Sequence, residues 1–267
     1  MNPKDWIDLL QRLFDWLSER RNPVRQQAAR VLATFEAHGV ARTEINALLP
    51  EALQLSAYQW SGADQLKLAL RQAHLDWLNQ QFALEDGWLT GKSDSAHQHP
   101  FSYKAPEQLH QWFQEHRTPK ADFEFKLHLL TPDTHEIGPD SEGYYALILE
   151  QMGEGLSACR RFYHLTEGGH FEHGPSLIHL LQVLAIAHHH GAIMRRSQLD
   201  AASLYQLSHH KGLIPNWLDR CRPHPLEADH ELWPHYSGPS PWLDQLRADA
   251  EQGLRRAGLT GVIEQLH

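Results

Sequence analysis

Cysteine is scarce: only Cys159 and Cys221 occur in 267 residues, and they form no Cys-x-x-Cys pair. That excludes a disulfide framework and a thiolate zinc site, and it fits the reduced thiols of a cytoplasmic protein. Long apolar runs are missing as well. The longest, Leu177 to Ala187, is interrupted by His179 and Gln182 and is too short for a bilayer, so no membrane partner is expected. Residues 1–25 mix acids with bases around no apolar h-region, so no secretory leader is expected either. The standard catalytic signatures are absent: there is no Gly-x-x-x-x-Gly-Lys phosphate loop, no Gly-x-Ser-x-Gly elbow and no His-Glu-x-x-His.

Positive charge is also in short supply. The formal net charge is −9 with histidines neutral. Residues 1–99 hold ten Lys/Arg against twelve Asp/Glu, leaving fourteen against twenty-one for residues 100–267. The second part is therefore a poor binder of phosphate backbones, while the first permits a local basic face. Histidine and tryptophan are plentiful, with 21 and nine residues. Most of the tryptophans fall at helical spacing and read as packing residues.

The apolar period is helical through the first third. Pro3 to Arg20 places Trp6, Leu9, Leu10, Leu13, Phe14 and Leu17 on one stripe. Asn22-Pro23 caps a second helix that buries Val24, Ala28, Val31, Leu32 and Phe35 and stops at Gly39. Thr43 opens a short third helix to Pro50, and Ser61 with Asp64 opens a longer one through Phe82. Ser93 to Pro100 is polar and aperiodic. The domains expected are a helical one over 1–92, a linker over 93–105 and an α+β domain over 106–267.

Beyond residue 121 the period shortens to two. Phe123–Leu129, Tyr144–Gln151 and Ala158–Leu165 read as strands, the last two as an antiparallel hairpin, with Ile193–Arg195 as a fourth. Helices are expected from Pro106, from Pro175 to His190, over Leu199–His209 and after Ser240-Pro241. Lys211 to Pro239 has no period and reads as ordered loop. The fold class is α+β: an all-helical N-terminal domain, then a small, mainly antiparallel sheet packed by helices.

Two groups of residues carry functional readings. In the run Phe35-Glu36-Ala37-His38-Gly39-Val40-Ala41-Arg42-Thr43-Glu44-Ile45, a helix, a glycine turn and a second helix follow one another, and Gly87-Trp88-Leu89-Thr90-Gly91 closes the segment. Residues 24–91 thus resemble the phage-repressor-type helix-turn-helix family. The resemblance implies a DNA-binding regulator, with Arg42, Thr43, Glu44 and Asn46 toward the major groove of double-stranded DNA and Arg25 and Arg30 at phosphates. The second part of the chain would then sense a ligand or form a homo-oligomer.

The other group is Tyr163-His164-Leu165-Thr166-Glu167-Gly168-Gly169-His170-Phe171-Glu172-His173. Its imidazoles, His164, His170 and His173, with Glu167 and Glu172 beside them, are candidate ligands for a divalent metal, as in a metal-binding protein or metal-dependent enzyme. His188-His189-His190 reads instead as a polar helix C-terminus, where imidazolium favours the helix dipole. A non-catalytic protein–protein interaction role, through the tryptophan-rich helices, is the third reading.

Overall fold

The structure, a computed structural model, describes residues 22–117, 124–133, 136–153, 159–225, 227–233 and 240–266. The helix expected over Pro3 to Arg20 lies outside them. The chain divides into two compact units, Met1–Asp94 and Ser95–His267.

The named elements among residues 22–94 are helices, joined by turns and extended segments. Helix α1 (Pro23–Ala37) starts where Asn22 Oδ1 accepts from the Val24 and Arg25 amides, and it ends at Gly39, whose φ of +76° suits glycine. Short helices α2 (Ile45–Leu48) and α3 (Ala63–Leu66) precede α4 (Gln72–Phe82). The single helix expected from Ser61 to Phe82 is therefore broken. Arg71 is extended, its amide donates to His74 Nδ1 and its guanidinium reaches the Ala52 carbonyl, while Leu68 is left 84% exposed. Trp60, Trp77 and Phe82 surround Phe35 with ring centroids 5.6–6.4 Å away, and this aromatic cluster is the core of the unit.

The second unit is α+β. Strands β1 (Phe125–Thr131), β2 (Ala146–Gln151), β3 (Arg161–His164), β4 (Ile193–Gln198) and β5 (Arg222–Pro223) form one sheet in the order β3-β2-β1-β4-β5. The sheet is mixed. β1 pairs antiparallel with β2, and β2 with β3, but β1 and β4 run parallel. The reason is the long connection: β3 and β4 point the same way, so the chain must return through helix α6 (Gly174–His189). Its apolar residues, with those of α5 (Pro106–His116) and α9 (Pro241–Arg256), are buried in this unit. Leu130, Ala146, Ile148 and Phe162 pack against α7 (Ala201–Ser208) and α8 (Ile214–Leu218). Helix α10 (Thr260–Glu264) closes the described chain.

The segment expected as linker is built into this unit. Ser95 bridges to Lys211 and Gly212, and Ala96, His97 and Ser102 are buried. The aperiodic Lys211–Pro239 stretch also holds α8 and β5, elements too short for a periodic signal. None of the helices among the described residues is long and apolar enough to cross a membrane.

One close approach is specific. A Cβ on Gly169 would lie 2.7 and 2.8 Å from two ring carbons of Tyr145. The ring cannot yield, because it is fully buried and its hydroxyl donates to the Ser176 carbonyl at 2.6 Å. Gly169→Ala is expected to cost ~1–3 kcal/mol as overpacking. The urea midpoint should fall at constant m value; a midpoint equal to wild type would contradict the contact.

Candidate metal centre

The residues proposed from sequence as ligands are not gathered. His164 lies at the end of β3 and faces inward, with its ring stacked on His210 at a centroid distance of 4.0 Å. Its Nε2 is buried without a hydrogen bond. His99 meets His210 edge-on at 4.8 Å, and the charges of His97 and His99 bear on His164. Burial first, then these neighbouring imidazoles, drives the His164 pKa well down; burial and His210 bring His99 to about 4. These imidazoles pack ring against ring and do not converge as a ligand set.

His170 and His173 stay at the surface of the unit. His170 Nδ1 meets Glu172 Oε2 at 2.6 Å, and Glu172 also accepts from the Gly143 amide. His173 Nδ1 is 2.9 Å from Ser176 Oγ at the start of α6. Gly168, with φ +59°, and the hydrogen bond from the Tyr145 amide to the Gly169 carbonyl turn the chain away from His164. Glu167 acts at a distance, raising the proton affinity of His99. The sequence cluster is thus split between core and surface.

Among the described residues, the histidines that do converge are His110, His189 and His190, whose ligand nitrogens all lie within 4.8 Å of one another. His110 projects from the middle of α5. His189 is the last residue of α6 and His190 its C-cap, where the helical path ends and adjacent side chains can turn to one side. The His110 ring centroid is 4.8 Å from that of His190 and 5.5 Å from that of His189. His190 Nε2 and His110 Nδ1 are 3.1 Å apart. Two imidazole nitrogens on one tetrahedral zinc ion, each at 2.0–2.1 Å, stand about 3.3 Å apart. This pair is already at ligating separation, and the third nitrogen needs to close by at most about 1.5 Å.

Neighbours set the tautomers. His189 Nδ1 lies 3.0 Å from Gln265 Oε1. An amide oxygen only accepts, so Nδ1 carries the proton and Nε2 keeps its lone pair. On His110, Gln114 Nε2 donates to ring Nε2 at 2.9 Å, which places the ring proton on Nδ1, toward His190. Rotation of the Gln114 amide would present its oxygen instead, move that proton to Nε2 and free Nδ1 for an ion. His190 stacks on Phe113 with planes 11° apart. Burial, followed by His110, His189 and Arg117, holds the His190 pKa down to about 4, and burial and His189 lower that of His110. Near neutral pH both are uncharged, the form in which imidazole ligates.

The His188-His189-His190 run does form the C-terminus of α6, and two of the three also turn toward α5 and a partner that the helix alone does not supply. The sequence signal was the histidine run itself. Its partner, 79 residues earlier by number, carries no spacing rule.

In the first unit, the residues placed at DNA by the resemblance are engaged within the unit. Arg25 pairs with Asp64 at 3.0 Å. Arg30 donates to the Trp88 carbonyl at 2.8 Å and lies over the Trp88 ring, so the Trp88–Gly91 element anchors α1. Arg42 bonds Glu36 through two nitrogens, at 2.8 and 2.6 Å, and also reaches the Ser61 carbonyl. Asn46 accepts from Trp60 Nε1 at 2.9 Å and from the Leu55 amide, and donates to the Leu55 carbonyl. Thr43 and Glu44 are exposed before α2, a helix of four residues.

Comparison with protein-family models, with curated proteins and with solved structures returns no match.

Proposed function

We propose that residues 95–267 form a metal-binding module in which His110 Nδ1, His189 Nε2 and His190 Nε2 hold one zinc-class divalent ion. The observation that carries it is the 3.1 Å approach of His190 Nε2 to His110 Nδ1, with His189 beside them. An all-imidazole set suits zinc, copper or nickel, and three protein ligands leave the fourth position of a tetrahedral ion to water or substrate. Gln265 is the outer partner that orients His189, and Gln114 would serve His110 in the same way once its amide oxygen faces His110 Nε2.

Cobalt(II) titration of the metal-free full chain tests the proposal. One equivalent should give a tetrahedral visible spectrum, displaced by zinc. His189→Ala and His110→Ala should each remove it, and Gln265→Ala should weaken binding about 10–100-fold. Cobalt spectra unchanged by His189→Ala would refute the site.

A DNA-binding regulator is the second reading. It is supported by the Gly39 turn between α1 and α2 and by the buried Val40 and Ile45 flanking it. It ranks lower because Arg25, Arg30, Arg42 and Asn46 already have protein partners. Salt-sensitive duplex binding by the full chain, weakened by Arg42→Ala, would favour it. No duplex binding at low salt would set it aside.

A further inference from the structure

A cavity of about 380 Å³ opens in the second unit among α5, α6 and α9, within the size range of small-molecule sites. Its cations come from different elements. Lys104 sits in the turn before α5, and Arg256 is the last residue of α9. Neither forms an ion pair with any described residue; Lys104 Nζ lies over the Tyr103 ring at 5.1 Å. Lys104 also has φ +61°, a left-handed backbone that disfavours a side-chain-bearing residue.

The rest of the lining is consistent with an anion. Pro106 and Pro175 stand in the first turns of α5 and α6, and neither helix is capped by a side chain, so two positive helix ends meet the cavity. The buried His179 has Nε2 tied to Ser102 Oγ at 2.7 Å. Burial and then His99 hold its pKa down to about 4, so it contributes polarity without charge. Glu107 on the wall subtracts one charge, and the lining sums to +1. Tyr103 and Ile178 offer apolar surface for a small body. Gly253 lets α9 approach closely on the lining, since a Cβ there would collide with the Gln182 amide.

We infer that this cavity binds a small organic monocarboxylate, with its head between Lys104 and Arg256 and its apolar body against Tyr103 and Ile178. A dianionic phosphate would overshoot the single net positive charge of the lining, whereas a monocarboxylate matches it. The site shares no residue with the His110–His189–His190 centre, and its occupancy does not require a metal.

Calorimetric titration of the full chain with benzoate, hexanoate and inorganic phosphate tests this. At least one carboxylate should bind, and more tightly than phosphate. Arg256→Gln and Lys104→Gly should each weaken it at least about tenfold. Lys104→Gly should leave the ligand-free melting temperature equal or higher, because glycine relieves the left-handed strain. His189→Ala should bind the carboxylate as wild type does, which separates this site from the metal centre. Binding of neither carboxylate, binding unaffected by both cation variants, or a preference for phosphate would each overturn the assignment.

Discussion

Lowering the pH from 7 toward 4 is expected to unfold the second unit cooperatively, with the loss of stability beginning near pH 6.5. The cause is a set of buried and half-buried imidazoles, His164 and His179 with His99, whose surroundings oppose protonation. Burial dominates for each. His210, His97 and His99 add repulsion at His164, His210 adds it at His99, with Glu167 opposing, and His99 adds it at His179. In the unfolded chain a histidine titrates near 6.5; in the fold His99 and His179 fall to about 4. The folded values are depressed, so the unfolded state binds more protons between pH 6.5 and 4. Stability is complete above pH 6.5 and drains as the pH falls toward 4. At pH 5 one such group costs about 2 kcal/mol. Several together approach the whole stability of an ordinary domain, about 5–15 kcal/mol. Glu150 adds to the loss at the acid end. Burial alone would raise its carboxyl, but His128 at 2.9 Å, Lys126 and Arg160 outweigh that and hold it at about 2. Its contribution is present above its unfolded value and is lost below it. Urea titrations at pH 7, 6 and 5 should show midpoints falling with proton uptake on unfolding. Midpoints that stay level to pH 5 would show that these imidazoles are not held neutral by the fold.

Replacing Arg196 by methionine is expected to cost ~3–5 kcal/mol, because it leaves the buried Glu231 without its partner and forces it to take up a proton on folding. Arg196 Nη1 and Glu231 Oε1 are 3.0 Å apart, with side chains only 1% and 3% exposed. Arg196 Nε lies 3.4 Å from Thr131 Oγ1, and Arg247 Nε donates to the Glu231 carbonyl at 3.1 Å. Burial pushes the Glu231 carboxyl up, to about 7, against the pull of Arg196 and Arg247. Removing Arg196 raises it further, so the variant folds with Glu231 protonated. A folded pKa above the unfolded one means the cost shrinks as the pH falls, and the deficit against wild type should be smaller at pH 6 than at pH 7. The double variant Arg196→Met/Glu231→Leu should recover most of the loss, since neither charge is then left unpaired. Additive losses in that cycle would show that the two side chains do not act as a pair.

Much of the secondary structure was legible because local chemistry imposes it. Asn22-Pro23 starts α1, Gly39 ends it and Ser240 caps α9 through the Leu243 amide, all as the sequence implies. The alternation in Phe125–Leu129 marks β1, and the apolar run from Pro175 marks α6. Where reading failed, a longer-range contact had won. Arg71 leaves the helical path for the Ala52 carbonyl and divides the helix expected through Phe82. The candidate site was less legible still. The dense histidines of 164–173 looked like a ligand set, but strand geometry sends His164 inward while a glycine turn keeps His170 and His173 out.

By itself, then, the sequence determined the α+β class, most element starts and stops, and the absence of a long apolar span, because caps, periodicity and apolar length act over a few residues. Only the tertiary structure decided that β1 and β4 run parallel and that Ser95–Ala105 belongs to the second unit. It alone brought His110 to the end of α6, and it alone left two cations around one cavity. Those outcomes depend on which faces bury one another, and no spacing along the chain encodes that choice.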